Sequence, residues 1–169
     1  RWMFVGAWLV QTWEQFLYAG IVGLARAFVL TGEMPYARRC GVLLDRVADL
    51  WPDFDFFYLH VKQTDTAGEK GDFEGKVKVI EEVDCLLPRL LALGPDVVIV
   101  SGDHSSPAVL KSHSWHPVPT LLYAEHVRAD GIAEFGERAC ARGSLGVLPA
   151  KNVMPLALAN AGRVAKYGA

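Results

Sequence analysis

FDFFYLHV, residues Phe54–Val61, is an almost unbroken apolar and aromatic run set between polar segments. Such a run reads as a strand buried on both faces, the kind found where helices cover both sides of a parallel sheet. Downstream, KQTDTAGEKGD is polar and reads as a loop. FEGKVKVIEEVDCLLPRLLALG then places Val79, Ile80, Val83, Leu87, Leu90 and Leu91 at helical spacing and ends on Gly94. Pro88 either kinks this helix or divides it in two. DVVIV, Asp96–Val100, and VPTLLYA, Val118–Ala124, read as two further buried strands neighbouring the first. Strand, helix, strand predicts an α/β fold: a mainly parallel sheet with helices on both faces. VMPLALANAG reads as a closing helix, with Pro155 near its first turn and Gly162 at its end.

Upstream of Trp51 the pattern is less regular. RWMFVGAWLVQTWEQFLYAGIVGLARAFVL is apolar, but Gln11, Glu14, Gln15 and Arg26 cut it into pieces too short to span about 30 Å of hydrocarbon. We expect core-facing helices here, with Trp2, Trp8 and Trp13 as core or interface aromatics, and no membrane span. ARA at Ala25–Ala27 is only a faint version of a signal-peptide cleavage site. The chain starts at Arg1 without an initiator methionine, so residues 1–169 are read as a single α/β domain or a fragment of one.

The chain has 169 residues and a formal net charge of −2, and its basic residues are dispersed rather than clustered along a phosphate-tracking stripe. Nucleic acid is therefore excluded as the expected partner. Cys40, Cys85 and Cys140 are odd in number and form no CxxC pair, which argues against a disulfide framework or a thiolate zinc site and for a reducing, cytoplasmic compartment.

Ligands of open α/β sheets bind beyond the carboxyl ends of the strands. Lys62, Asp65, Glu69 and Asp72 follow the first strand, Asp103, His104, Ser105 and Ser106 follow the second in VIVSGDHSSP, and His113 precedes the third. Carboxylates and imidazoles gathered at one edge suit divalent cations that accept mixed oxygen and nitrogen donors. Each residue also has a plainer role open to it: Asp103 as a turn cap, Asp65 as a turn carboxylate, His60 as a hydrogen-bonded core histidine, His116 and His126 as surface or packing residues.

Read together, HVKQTDTAGEKGDFEGKVKVIEEVD, VIVSGDHSSP, SHSWHPVP and RGSLGVLPAKNVMPLALANAGRVAKYGA resemble the C-terminal half of the archaeal-type cofactor-independent phosphoglycerate mutases, of the alkaline phosphatase superfamily. The resemblance is strongest over residues 54–169. It implies an alkaline-phosphatase-like fold and two divalent metal ions (manganese, zinc, cobalt or magnesium). It also implies a small phosphorylated substrate, phosphoglycerate, interconverted between its 2- and 3-phospho forms in glycolysis. By motif, Asp103 and His104 would serve one ion, and Asp65 and His113 the other. Two such cations neutralise a transferring phosphoryl group and activate a hydroxyl.

Two departures matter. Where the family carries a histidine in DxxGH, this chain reads DTAGE, so Glu69 either substitutes as an oxygen ligand or leaves that site weakened or absent. A carboxylate there favours manganese or magnesium over zinc. No segment matches the family's nucleophilic serine, so the catalytic residue is unassigned, and a missing N-terminal half or another chain is expected to complete the site. The alternatives are a related metal-dependent phosphohydrolase or phosphomutase, and a truncated, non-catalytic paralogue.

Overall fold

The computed structural model describes residues 2–6, 27–32 and 37–164. In chain order these form β1 (Trp2–Gly6), β2 (Ala27–Gly32), α1 (Ala37–Leu50), β3 (Phe56–Val61), α2 (Gln63–Lys70), α3 (Phe73–Asp84) and α4 (Leu87–Leu91). There follow β4 (Val97–Ser101), β5 (Thr120–Ala124), α5 (Glu137–Cys140) and α6 (Val153–Asn160). The five strands make one sheet in the order β2-β3-β1-β4-β5. β1, β2, β3 and β4 pair in parallel, and β5 runs antiparallel to β4.

The α/β class and the mainly parallel sheet hold, while four details are corrected. The N-terminal stretch expected to be helical contributes β1 and β2, and β1 lies between the two strands expected to be neighbours. Trp8 and Trp13 fall outside the described residues, as does ARA but for Ala27, the first residue of β2. The third expected strand is a half-exposed antiparallel edge, with Tyr123 58 % exposed, rather than a buried parallel strand. KQTDTAGEKGD is not a loop, since α2 occupies most of it.

Packing explains why β3 shows no polar alternation. Phe56 and Tyr58 face a core with Val97, Ile99, Ala124 and, from α6, Ala157. Phe57 and Leu59 point the other way, onto Leu44 and Val47 of α1, Trp51, and Leu90 of α4. Both faces are covered by helices, and each fully buried large side chain contributes about 1.5–3 kcal/mol. Trp51 stacks on Phe57 with ring centroids 4.9 Å apart.

Pro88 separates two helices, as one of the two expected arrangements had it: α3 ends at Asp84 and Pro88 sits in the first turn of α4. The closing helix is α6, with left-handed Gly162 just beyond it. His60 is buried as expected, but its Nε2 has no hydrogen-bond partner among the described residues. Among the described residues no helix is long and apolar enough to cross a membrane.

Candidate metal centre

Two connections, the one after β3 and the one between β4 and β5, meet at the carboxyl edge of the sheet. Val5 of β1 pairs with Leu59 on one side and Val100 on the other, so β3 and β4 end nearly level. The segment after β3 becomes α2, which carries Asp65 in its first turn and Glu69 one turn later. The segment after β4 carries Asp103 and His104. Because β5 is antiparallel to β4, residues 102–119 leave and re-enter the sheet at the same edge. An isolated bridge between Ser105 and Ser114, with Ser114 N donating to Ser105 O at 2.8 Å, ties that excursion back and places His113 beside His104.

Helix α2 lacks an apolar stripe and has a glycine in its interior, an unfavourable position for helix propensity. Local signals support it at its ends: an acidic residue in the first turn, Lys70 in the last, and left-handed Gly71 as its cap. Tertiary contact supplies the rest, because Gly68 lies against the carbonyl oxygen of Ser106 with no room for a Cβ.

All five residues named from the sequence come together. His113 Nε2 stands 3.3 Å from Asp65 Oδ1 and 3.2 Å from Glu69 Oε1. His104 Nδ1 is 3.9 Å from Asp65 Oδ1, and His104 Nε2 is 3.2 Å from Asp103 Oδ2. The two imidazoles lie with centroids 3.9 Å apart. Asp65, His104 and His113 each offer a donor atom, and these atoms lie within 4.8 Å of one another. Donors that share one ion at about 2.0–2.2 Å sit at most about 4.4 Å apart, so small side-chain movements close this set on a cation. The donors present therefore fit a divalent metal.

Charge is unevenly distributed across the cluster. Burial pushes the Asp65 carboxyl up, but hydrogen bonds from Lys62 and Ser106 outweigh it and hold the group below the ordinary carboxylate range. Burial pushes the Asp103 carboxyl above that range despite the nearby His104, and the charge of Asp65 adds to the rise. Lys62 is raised, chiefly by its hydrogen bond to Asp65.

Asp72 stands apart as the cap of α3, accepting from Gly75 N at 2.9 Å. Ser101 pairs with Thr120 at 2.8 Å, whereas Ser106 bonds both Asp65 and His104. Lys62 had no role assigned from sequence. Its spacing of three from Asp65 becomes a signal only once the segment is known to be helical. Lys76, which donates to Ser106 O at 2.7 Å from α3, carries no sequence signal at all. A cavity of about 270 Å³ adjoins the cluster, lined by Asp65, Asp103 and His104 together with apolar residues such as Ile80, Val83 and Phe135.

The chain is similar to the probable 2,3-bisphosphoglycerate-independent phosphoglycerate mutase of Thermosipho africanus, 60 % identical over 123 residues, covering 73 % of this chain and 31 % of that protein. The protein of the same name from Thermus thermophilus is 56 % identical over 153 residues, covering 90 % of this chain and 37 % of its own length. The chain thus spans about a third of the length of these curated relatives. Among solved structures, the PH0037 protein from Pyrococcus horikoshii aligns with a TM-score of 0.75 at 29 % identity, over 99 % of this chain and 51 % of that one. A cofactor-independent phosphoglycerate mutase from Thermoplasma acidophilum aligns at 0.61 with 24 % identity, over 82 % of this chain and 37 % of that one, a likeness of fold. The metalloenzyme superfamily model matches residues 25–160, a span that holds α2 and both loops bearing the carboxylates and imidazoles, and the chain belongs to that superfamily.

Proposed function

We propose that this chain is the metal-binding part of a cytoplasmic, glycolytic 2,3-bisphosphoglycerate-independent phosphoglycerate mutase. The observation that carries the reading is the meeting of Asp65, Glu69, Asp103, His104 and His113 at one sheet edge, in a chain 48–60 % identical to proteins named as probable mutases of that kind. Asp103 and His104 would hold one ion, and Asp65, His113 and Glu69 a second. Divalent ions bound there supply neutralisation of phosphoryl charge and activation of a hydroxyl.

The chain's own residues do the positioning. Lys62 and Ser106 orient the two oxygens of Asp65, and Asp65 Oδ1, Glu69 Oε1 and His113 Nε2 face one another as donors to a single ion would. The nucleophilic serine is supplied by protein outside the matched region, in line with the third of the relatives' length that this chain spans.

The test has two arms. Calorimetric titration of the 169-residue chain with manganese, cobalt, zinc and magnesium is expected to show binding that His104→Ala and His113→Ala weaken separately. Grafting residues 25–160 into the Thermus thermophilus relative in place of its own segment is expected to retain interconversion of 2- and 3-phosphoglycerate. No affinity for any of the four ions sinks the metal assignment. A graft that binds metal but is inert in the coupled mutase assay sinks the mutase assignment alone.

A further inference from the structure

Ser106 is 5 % exposed and touches the cluster at two points. Its Oγ is hydrogen-bonded to Asp65 Oδ1 and stands 3.1 Å from His104 Nδ1. A hydroxyl has one proton to give. Asp65 is a carboxylate whose other oxygen is taken by Lys62, and an ionised carboxylate only accepts. The Ser106 proton therefore goes to Asp65, and a lone pair of Oγ faces His104. Nδ1 of His104 must then be the donor. In a neutral imidazole that leaves Nε2 bare, and Nε2 faces Asp103 Oδ2 at 3.2 Å. Two acceptors at that separation are held by a proton in the metal-free chain, and they stand where two ligands of one divalent ion would.

We propose that Ser106 is a positioning residue of the metal centre: its hydroxyl selects the His104 tautomer that is protonated on Nδ1, so that bare Nε2 and the Asp103 carboxylate are presented together to a divalent ion. The inference rests on the metal reading given above and deepens it. The same hydroxyl links the two halves of the cluster, since its other partner, Asp65, belongs to the donor group with His113. Outer partners of this kind fix ring orientation and tautomer in metal sites, and their loss typically weakens affinity 10–100-fold.

The backbone at Ser106 is held by other contacts. Lys76 Nζ grips its carbonyl oxygen at 2.7 Å, and Gly68 of α2 packs directly on that oxygen. Truncating the hydroxyl therefore removes the link to His104 and Asp65 while leaving these anchors of the loop.

The experiment uses the metal-free 169-residue chain with ¹⁵N-labelled histidine. Long-range ¹H–¹⁵N NMR at mildly alkaline pH reads which nitrogen of His104 carries the proton, and calorimetry with manganese and zinc reads affinity. The wild-type chain is expected to show His104 protonated on Nδ1. Ser106→Ala is expected to lose that preference and bind about 10–100-fold more weakly, and Ser106→Thr to restore both. Wild-type His104 protonated on Nε2 overturns the proposal, and this measurement decides even if Ser106→Ala does not fold. A folded Ser106→Ala chain with unchanged affinity also overturns it. A wild-type chain protonated on Nδ1 that binds neither ion overturns the metal reading instead, so the two failures are distinguishable.

Discussion

Gly68 of α2 rests on the carbonyl oxygen of Ser106 so closely that any Cβ at position 68 would overlap it. This contact sets the distance between the helix that carries Asp65 and the loop that carries Asp103 and His104. Ser106 has little freedom to yield, because Lys76 also holds that oxygen, at 2.7 Å. Gly68→Ala is expected to cost about 1–3 kcal/mol, the usual penalty of overpacking. At about 2–4 °C per kcal/mol for a chain of this size, the melting temperature falls by several degrees. Circular-dichroism melts check the loss, and an unchanged melting temperature would show that the loop moves aside freely.

Glu69 Oε1 lies 3.2 Å from His113 Nε2, on the same helix face as Asp65. If this carboxylate is a ligand, Glu69→His exchanges an oxygen donor for a nitrogen donor and moves preference from manganese or magnesium toward zinc. Calorimetry on the two forms is expected to show tighter metal binding in the variant, most of all for zinc. Identical isotherms remove Glu69 from the site.

Divalent metal is expected to raise thermal stability, because the donors come from α2 and from the β4–β5 connection, which only the folded chain brings together. Ligand at a hundredfold excess over its dissociation constant adds about 2.7 kcal/mol, and therefore a rise of roughly 5–10 °C. Melts in manganese and in excess EDTA measure it directly. The increment should shrink in His113→Ala, whose ring is half exposed and so costs little packing.

His60 predicts a pH dependence in the metal-free chain. Burial pushes its pKa below the ordinary 6.5, Lys62 adds to the effect, and Asp65 opposes it. A depressed folded-state pKa contributes stability that is complete above 6.5 and is lost as pH falls from there through the folded value. The melting temperature is thus expected to drop between pH about 7.5 and about 5.5, less steeply in His60→Leu than in the wild type. The depressed pKa of Asp65 acts in a separate window, below its ordinary 3.8. Equal slopes for the two chains over the higher range would rule out His60 as the cause.

The buried runs at Phe56–Val61 and Val97–Ser101 were legible because strands covered on both faces cannot hide their composition. Asp65, Asp103, His104 and His113 were legible as candidates because loops beyond such strands are where ligands bind. Helix α2 was not, since its polar sequence has no apolar period, and what holds it is the contact of Gly68 with a loop far along the chain. β1 and β2 were not, because short apolar runs read equally as strand or buried helix. Strand direction was the largest gap. A parallel strand after His113 would begin at the opposite edge of the sheet, yet the sequence placed His113 with the other donors. β5 running antiparallel to β4 resolves this, because the connection then starts and ends at one edge. By itself the sequence determined which residues have the chemistry of a metal site and which segments are buried. Direction, register and the hydrogen bonds of Ser106 and Lys76 depend on partners distant in the chain, and only the folded sheet decided them.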